Sequence, residues 1–533
     1  MKLGAVKRAR NPMRLALAVL STLALTALLL ISLRAQPQNP TLVPVFVDAN
    51  VAPGGLADGS SWVNATPSLD NAIANALPTG ELWVAEGRYV PTDLVAGFNI
   101  NKPLRLYGGF LGPHDPSNPG YLGESQLAER RGSFTSTVLD ADVAGNDDTL
   151  GIYADNAAHV VSIDQVAAVE DDPAVVIDGF TITHGFAAND PSSTVGGGIW
   201  CHCSNLDLTN CYLNNNRASD GGAIWFVSGC PVIPPPPTPP VPLIKSILRV
   251  KSTEFFYNIA DHNGGAIYGD WLWGWAVNCK FLSNKCGQFG GAAYVNQVKN
   301  GKSFDFANGV FWENWVNSAA TGSSGPPHGG ALYFDQVSAS PGEFASSQVV
   351  NCTFVGNFAP GIVQQGGCSA GQAIFVSPNS VVGIYNSILF WNRDLGPFPL
   401  CSAPLAPIGG PATVDFCDLE VVTGPQHNNQ SYDPLFTAGS WPNIPTSGHP
   451  PTHTLPDFTL RPSRAQGAGS PCIDYGDYSI IPSDVADLDE NGDVSEKLPL
   501  DLRESRRRVD RHGLGEDSPT GVDYVDQGCY ERP

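Results

Sequence analysis

Positive charge is what the chain has least of. Its 29 Lys and Arg stand against 51 Asp and Glu, a formal net charge of −22 over 533 residues. Nucleic acids and anionic membranes are bound by cations that neutralise phosphates, so neither suits this chain as a partner. Also missing are a nucleophile triad, a phosphate loop, a Cys-x-x-Cys zinc pair and any nucleic-acid motif. Past the repeats the tail has no set of alternating strands suitable for a C-terminal membrane barrel, which argues against one. Leucine- or alanine-dominated repeat units are absent too, and with them leucine-rich and helical solenoids.

Six of the 29 cations fall in the first 35 residues. Met1 to Arg14 carries Lys2, Lys7, Arg8, Arg10 and Arg14 with no acid, and Leu15 to Leu33 is a 19-residue apolar or small-residue run. This reads as an export signal over residues 1–35, either a cleaved signal peptide or a retained signal anchor. Cleavage after Ala35 would place Leu33 where a small residue is preferred. Removing 1–35 takes away six basic residues and no acid, moving the charge from −22 to −28. The chain is therefore expected to be exported, extracellular or at the cell surface, monomeric, and in contact with membrane only through residues 15–33.

A seven-residue pattern, Asn-x-x-Phe/Leu-x-x-Asn, then organises the middle. It runs Asn210 to Asn216, Asn278 to Asn284, Asn308 to Asn314, Asn351 to Asn357 and Asn386 to Asn392, with a degenerate copy from Ser252 to Asn258. Leu213, Phe255, Phe281, Phe311, Phe354 and Leu389 hold its centre. Downstream of most copies comes Gly-Gly-Ala-Ile/Leu-aromatic, as in Gly221 to Trp225, Gly264 to Tyr268 and Gly329 to Tyr333. Heptads start 42, 26, 30, 43 and 35 residues apart, a coil in the mid-twenties with loops inserted. Asn and Gly tolerate the left-handed conformations of sharp bends, and coils ~4.8 Å apart let Asn amides bond one another. The spacing and composition predict a parallel β-helix.

The pairing of Gly-Gly-Ala-Ile with Phe-x-x-Asn resembles the repeats of chlamydial polymorphic outer-membrane proteins, which are adhesins. Residues 45–440 as a whole resemble the right-handed β-helix, pectate-lyase-like superfamily of exported bacterial proteins, which includes lyases, hydrolases, esterases, adhesins and proteins without chemistry. The fold class is then all-β, a right-handed parallel β-helix solenoid with a short N-terminal capping helix and an irregular C-terminal segment. Ser68 is the expected N-cap of that helix, with Leu69, Ala72, Ile73, Ala76 and Leu77 as its apolar stripe. Leu82 to Val84 and Leu104 to Tyr107 follow as strands, with Gly108-Gly109 at a bend. Val175 to His184 reads as an imperfect heptad with Asp178, Thr181 and His184 in the Asn, Phe and Asn places. Pro231 to Pro242 and Ala319 to His328 are inserted loops, and residues 441–533 form a C-terminal extension.

Candidate chemistry is sparse. Glu254 and Lys280 share a heptad column one coil apart, near Arg249 and Lys251. A base with calcium-bound carboxylates is one reading of that set, and a cross-coil surface ion pair is the other. Asp487, Asp489, Asn491 and Asp493 have the oxygen spacing of the first part of a calcium loop, but Leu498 stands where a bidentate Glu is needed. That stretch is either a calcium site or an acidic turn, and no other cofactor is expected. Of the 12 cysteines, Cys211, Cys279 and Cys352 share one heptad position with other coils between them. At two spacings of ~4.8 Å they are too far apart to bridge. Cys401 with Cys417, and Cys472 with Cys529, are the pairings the chain order suggests.

The strand after Gly-Gly carries the strongest functional signal. Ile199, Ile224, Ile267, Leu332 and Ile374 claim the core, so period-two alternation sends Trp200, Trp225, Tyr268, Tyr294, Tyr333 and Phe375 outward. Asp270, Asn296 and Asp335 lie beside them. The expectation is an exposed aromatic strip that stacks on sugar faces and bonds their hydroxyls, making the chain a non-catalytic binder of polysaccharide or of a cell-surface protein; an aromatic stack covered by the inserted loops is the equal alternative. A polysaccharide lyase or glycoside hydrolase is the alternative.

Overall fold

The computed structural model describes residues 43–118, 120–132, 135–147, 151–166, 175–228, 246–296, 303–317, 328–335, 347–359, 372–378, 380–392, 408–419, 428–436, 457–458, 460, 470–473, 475–504 and 524–530. Residues 1–42, the proline-rich run 231–242, residues 319–327 and Cys401 lie outside them. Among the described residues no helix is long and apolar enough to cross a membrane.

The fold is a right-handed parallel β-helix. One coil shows the path. Leu248–Lys251 lies in an 11-stranded first sheet, Glu254–Phe256 in a 10-stranded heptad sheet and Ile259–Asn263 in a short four-stranded sheet. Ile267–Asp270 then joins a nine-stranded Gly-Gly sheet, and Gly274–Val277 starts the next coil in the first sheet. All strand pairs in these sheets are parallel, and each column meets its own kind: Leu213, Phe255, Phe281, Phe311, Phe354 and Leu389 are successive partners.

The two Asn columns make the bends in different ways. In the first, Asn210, Ser252, Asn278, Asn308, Asn351 and Asn386 themselves take left-handed φ between +48° and +59°. In the second, the left-handed residue is the one before the Asn: Asn215, Tyr257, Ser283, Glu313, Gly356 and Trp391. The second-column Asn side chains are buried and form a continuous ladder, Nδ2 to Oδ1, from Asn216 through Asn258, Asn284, Asn314 and Asn357 to Asn392 at 2.9–3.0 Å. Each Nδ2 also donates to a carbonyl of the preceding coil, such as Phe255 O from Asn284 at 2.9 Å. Every donor is used, which is why a buried polar column is tolerated.

The register corrects the reading of 175–185. Ile182, not Thr181, pairs with Leu213, so Gly179 and Gly185 stand where later coils have Asn. Gly185 N donates to Asn216 Oδ1 at 3.0 Å, the same bond later coils make from an Asn backbone. His184 falls one place outside the ladder and pairs with Asp140 at 2.9 Å.

The Gly-Gly motif has two separate causes. Gly221, Gly264, Gly290 and Gly329 take φ of +63° to +69°, where a side chain is strained. At the second glycine the next coil is too close: a Cβ on Gly265 or Gly291 would meet the following glycine's carbonyl oxygen at 2.1 Å.

At the N-terminal end, helix α1 (Leu69–Asn75) starts at Ser68, whose side chain accepts from Asn71 N at 3.2 Å. Leu69, Ala72, Ile73 and Ala76 join the main core beside the edge strands Val45–Val47 and Phe98–Ile100. Leu77 lies past the helix and is 66% exposed, so the stripe ends one residue earlier than its spacing predicts. Gly108 and Gly109 sit inside the strand Leu104–Phe110.

The C-terminal segment straps along the flank. Phe436, Phe458, Leu460, Leu502 and Tyr530 pack on the outward residues Phe256, Leu282, Trp312 and Val355 of the heptad sheet. Lys251 Nζ, Asn308 Nδ2 and Asn386 Nδ2 donate to the carbonyls of Asp487, Leu500 and Asp477.

Cys211, Cys279 and Cys352 are buried thiols that form no bridge with one another, held apart by the intervening coils as their spacing requires. The other suggested pairings fail. Cys417 is a free thiol, Cys472 Sγ lies 3.0 Å from Asp418 Oδ2, and Cys529 Sγ lies 3.3 Å from Thr353 Oγ1. Each sulfur is taken up by the coil it packs on. Cys203 is disulfide-bonded.

Candidate functional site

The aromatic positions fall on one line, as alternation predicts. Trp200, Trp225, Tyr268, Tyr294, Tyr333 and Phe375 are successive strand partners, while Ile199, Ile224, Ile267, Ala293, Leu332 and Ile374 beneath them are fully buried. They form two stacks. Trp200 lies on Trp225 with centroids 5.7 Å apart. Tyr268, Tyr294, Tyr333 and Phe375 follow one another at 5.2–5.3 Å with rings within 13° of parallel.

Exposure along the line departs from the expectation. Tyr294 and Tyr333 are only 8% and 9% exposed, while Trp200, Trp225 and Tyr268 are half-buried. The residue immediately before each Gly-Gly forms a column of its own beside the strip. In the later coils that column holds Phe289 and His328. Phe289 packs on Tyr333 at 4.6 Å and His328 on Phe375 at 4.0 Å. In the earlier coils it holds Asp220 and Asn263, joined by a 3.0 Å hydrogen bond, while Trp225 has the His202 ring 6.3 Å away.

The polar neighbours bond mainly to one another. Asn296 Nδ2 donates to Asp270 Oδ1 at 3.1 Å, and Tyr294 Oη donates to Asp335 Oδ2 at 2.9 Å. Burial, then the Asp270 charge, pushes the Tyr268 phenol up to about 12, and burial with Asp335 does the same to Tyr333. These phenols therefore stay protonated donors at neutral pH. The half-buried Trp225 and Tyr268 are strand partners on adjacent coils that belong to different stacks.

Glu254 and Lys280 are strand partners whose charged ends lie 3.4 Å apart, both partly exposed. Arg249 is paired with Asp207 at 3.1 Å and Lys251 is bonded to the C-terminal strap, so no basic cluster gathers around Glu254. Removing both charges with Glu254→Gln and Lys280→Gln should change the unfolding free energy by no more than about 1 kcal/mol in urea titrations. A larger loss would mean the pair holds more than each other.

The acidic loop is arranged differently from its sequence pattern. Asp487 and Asp489 come together with Asp484, oxygens within 4.8 Å of one another. Asp493 is outside that group, its carboxylate accepting from Ser495 Oγ at 2.6 Å and N at 3.0 Å, which holds its pKa below the usual carboxylate range. Asn491 Nδ2 donates to Asp489 and Glu496, and its Oδ1 accepts from Asp493 N at 2.6 Å. Asp484 was not legible from the Asp-x-Asp-x-Asn pattern because it lies three residues before it.

Residues 252–270 match the Chlamydia polymorphic membrane protein (Chlamydia_PMP) repeat. That stretch carries Phe255, Asn258 and Gly264 to Tyr268. No curated protein matches the chain. Among solved structures, pectate lyase Pel9A is similar at 10% identity and TM-score 0.34, covering 92% of this chain and 98% of that one. Pectin methylesterase from carrot is similar at 9% identity and TM-score 0.29, covering 71% of this chain and 85% of that one. Likenesses this remote carry no inference about activity.

Proposed function

We propose that the chain is an exported, non-catalytic β-helix that binds polysaccharide at the break in its aromatic strip. The supporting observation is the pair Trp225 and Tyr268: half-buried rings on adjacent coils, not stacked on each other, with Asp270 at the next outward position after Tyr268 and Asn296 bonded to it from the following coil. Ring surfaces beside hydrogen-bonding side chains suit a sugar, which has apolar faces and hydroxyl edges. The buried rings Tyr294 and Tyr333 serve as its rigid base. The Glu254–Lys280 ion pair lacks the surrounding bases and acids that cleavage would need, so binding is the better reading. Export rests on the basic, then apolar, start of the sequence.

Retention on immobilised polysaccharides tests this. Trp225→Ala and Tyr268→Ala should each weaken retention by about 0.5–1.5 kcal/mol with little change in melting temperature. Tyr333→Ala should instead destabilise the fold, by about 3 kcal/mol. Undiminished retention in both Trp225→Ala and Tyr268→Ala would remove the strip as the site.

A further inference from the structure

We propose that Asp484, Asp487 and Asp489 form a calcium site that fastens the C-terminal loop against the flank of the β-helix. Each offers a carboxylate oxygen, and the three lie within 4.8 Å of one another. Oxygens bound to one calcium at ~2.3–2.6 Å lie at most about 5 Å apart, so the group is compact enough to share an ion.

A separate observation calls for a ligand. Asp484 is fully buried, yet only its Oδ2 is bonded, accepting from Leu488 N at 2.7 Å; Oδ1 has no hydrogen-bond partner. Asp489 Oδ1 is also shielded and unpartnered. Buried carboxylate oxygens without donors are costly unless a cation meets them. Lys251 supplies part of the countercharge, its Nζ donating to Asp487 O at 2.8 Å. One ammonium against three carboxylates leaves two negative charges, the balance a divalent ion completes. All-oxygen donors favour calcium over softer metals. Burial pushes the Asp484 carboxyl up, and the charges of Asp489 and Asp487 add to that rise.

The loop so closed is already pinned at its neck, where Asp484 N donates to Glu496 O and Leu498 N to Pro482 O. Ala486 and Leu498 pack on Val277 and Ala307 of the first sheet. A bound ion would hold the acidic turn over that contact and keep the strap docked.

Calorimetric titration of the chelator-treated full chain with calcium chloride is the test. The chain should bind one more equivalent of calcium, with Kd in the range of roughly 0.1–1 mM typical of extracellular modules, than Asp484→Asn or Asp489→Asn. Asp493→Ala should keep that equivalent. At calcium about ten times Kd, proteolysis within the loop should slow about tenfold in the wild type and not in Asp489→Asn. Asp489 is partly exposed, so its variant decides the matter if Asp484→Asn fails to fold. Equal stoichiometry in wild type and Asp489→Asn, or loss of calcium in Asp493→Ala alone, would overturn the assignment.

Discussion

Phe281→Ala is expected to lower the unfolding free energy by about 3–5 kcal/mol. The ring is fully buried, sandwiched between Phe255 and Phe311 at 4.8 Å on either side and within 5° of parallel to both, with Phe306 edge-on at 6.0 Å. Truncation opens a cavity that cannot collapse, because backbone hydrogen bonds between coils fix the spacing of its neighbours. Phe281→Leu should cost far less, since Leu213 and Leu389 already fill the same column. Urea unfolding followed by tryptophan fluorescence measures both. A loss under about 1 kcal/mol for Phe281→Ala would mean that the column is not the centre of the core.

Asn284→Ala is expected to cost about 2–4 kcal/mol, although it removes only a few atoms. The Asn284 amide serves four groups. Its Oδ1 accepts from Asn258 N at 3.1 Å and Asn258 Nδ2 at 3.0 Å, and its Nδ2 donates to Phe255 O and Asn314 Oδ1. Alanine leaves the buried Asn258 N–H without that acceptor, and water cannot reach it. Amide exchange at Asn258 should therefore quicken markedly, alongside the loss of stability. Because a solenoid is held coil by coil, the damage should be greatest in coils next to the change. Unchanged exchange at Asn258 would show that the ladder carries little of the stability.

The parts of the fold that repeat were legible because each coil states the same requirement. A left-handed bend, an apolar centre and a buried amide recur in one spacing, and no single coil has to be read alone. The misreading at 175–185 has the opposite origin. Asp178 and His184 look like ladder residues, whereas Gly179 and Gly185 meet the backbone requirement with no side chain to see. The strip was legible as a line, from alternation, but not as a surface. The column beside it, the residue before Gly-Gly, changes from Asp220 and Asn263 to Phe289 and His328 along the helix, and alternation says nothing about such neighbours. The C-terminal strap makes irregular contacts with coils far back in the chain, such as Lys251 to Asp487. Its docking and the fate of Cys472 and Cys529 have no periodic signal.

The reading as a binding scaffold is tested most directly by incubating the purified chain with acidic and neutral polysaccharides, with and without calcium, and measuring retention and polymer length together. The predicted result is retention of at least one polysaccharide, weakened by Trp225→Ala, with no shortening of the polymer. Shortening that is abolished by Lys280→Ala in a chain that stays folded would contradict it, and would make the Glu254–Lys280 pair a catalytic site.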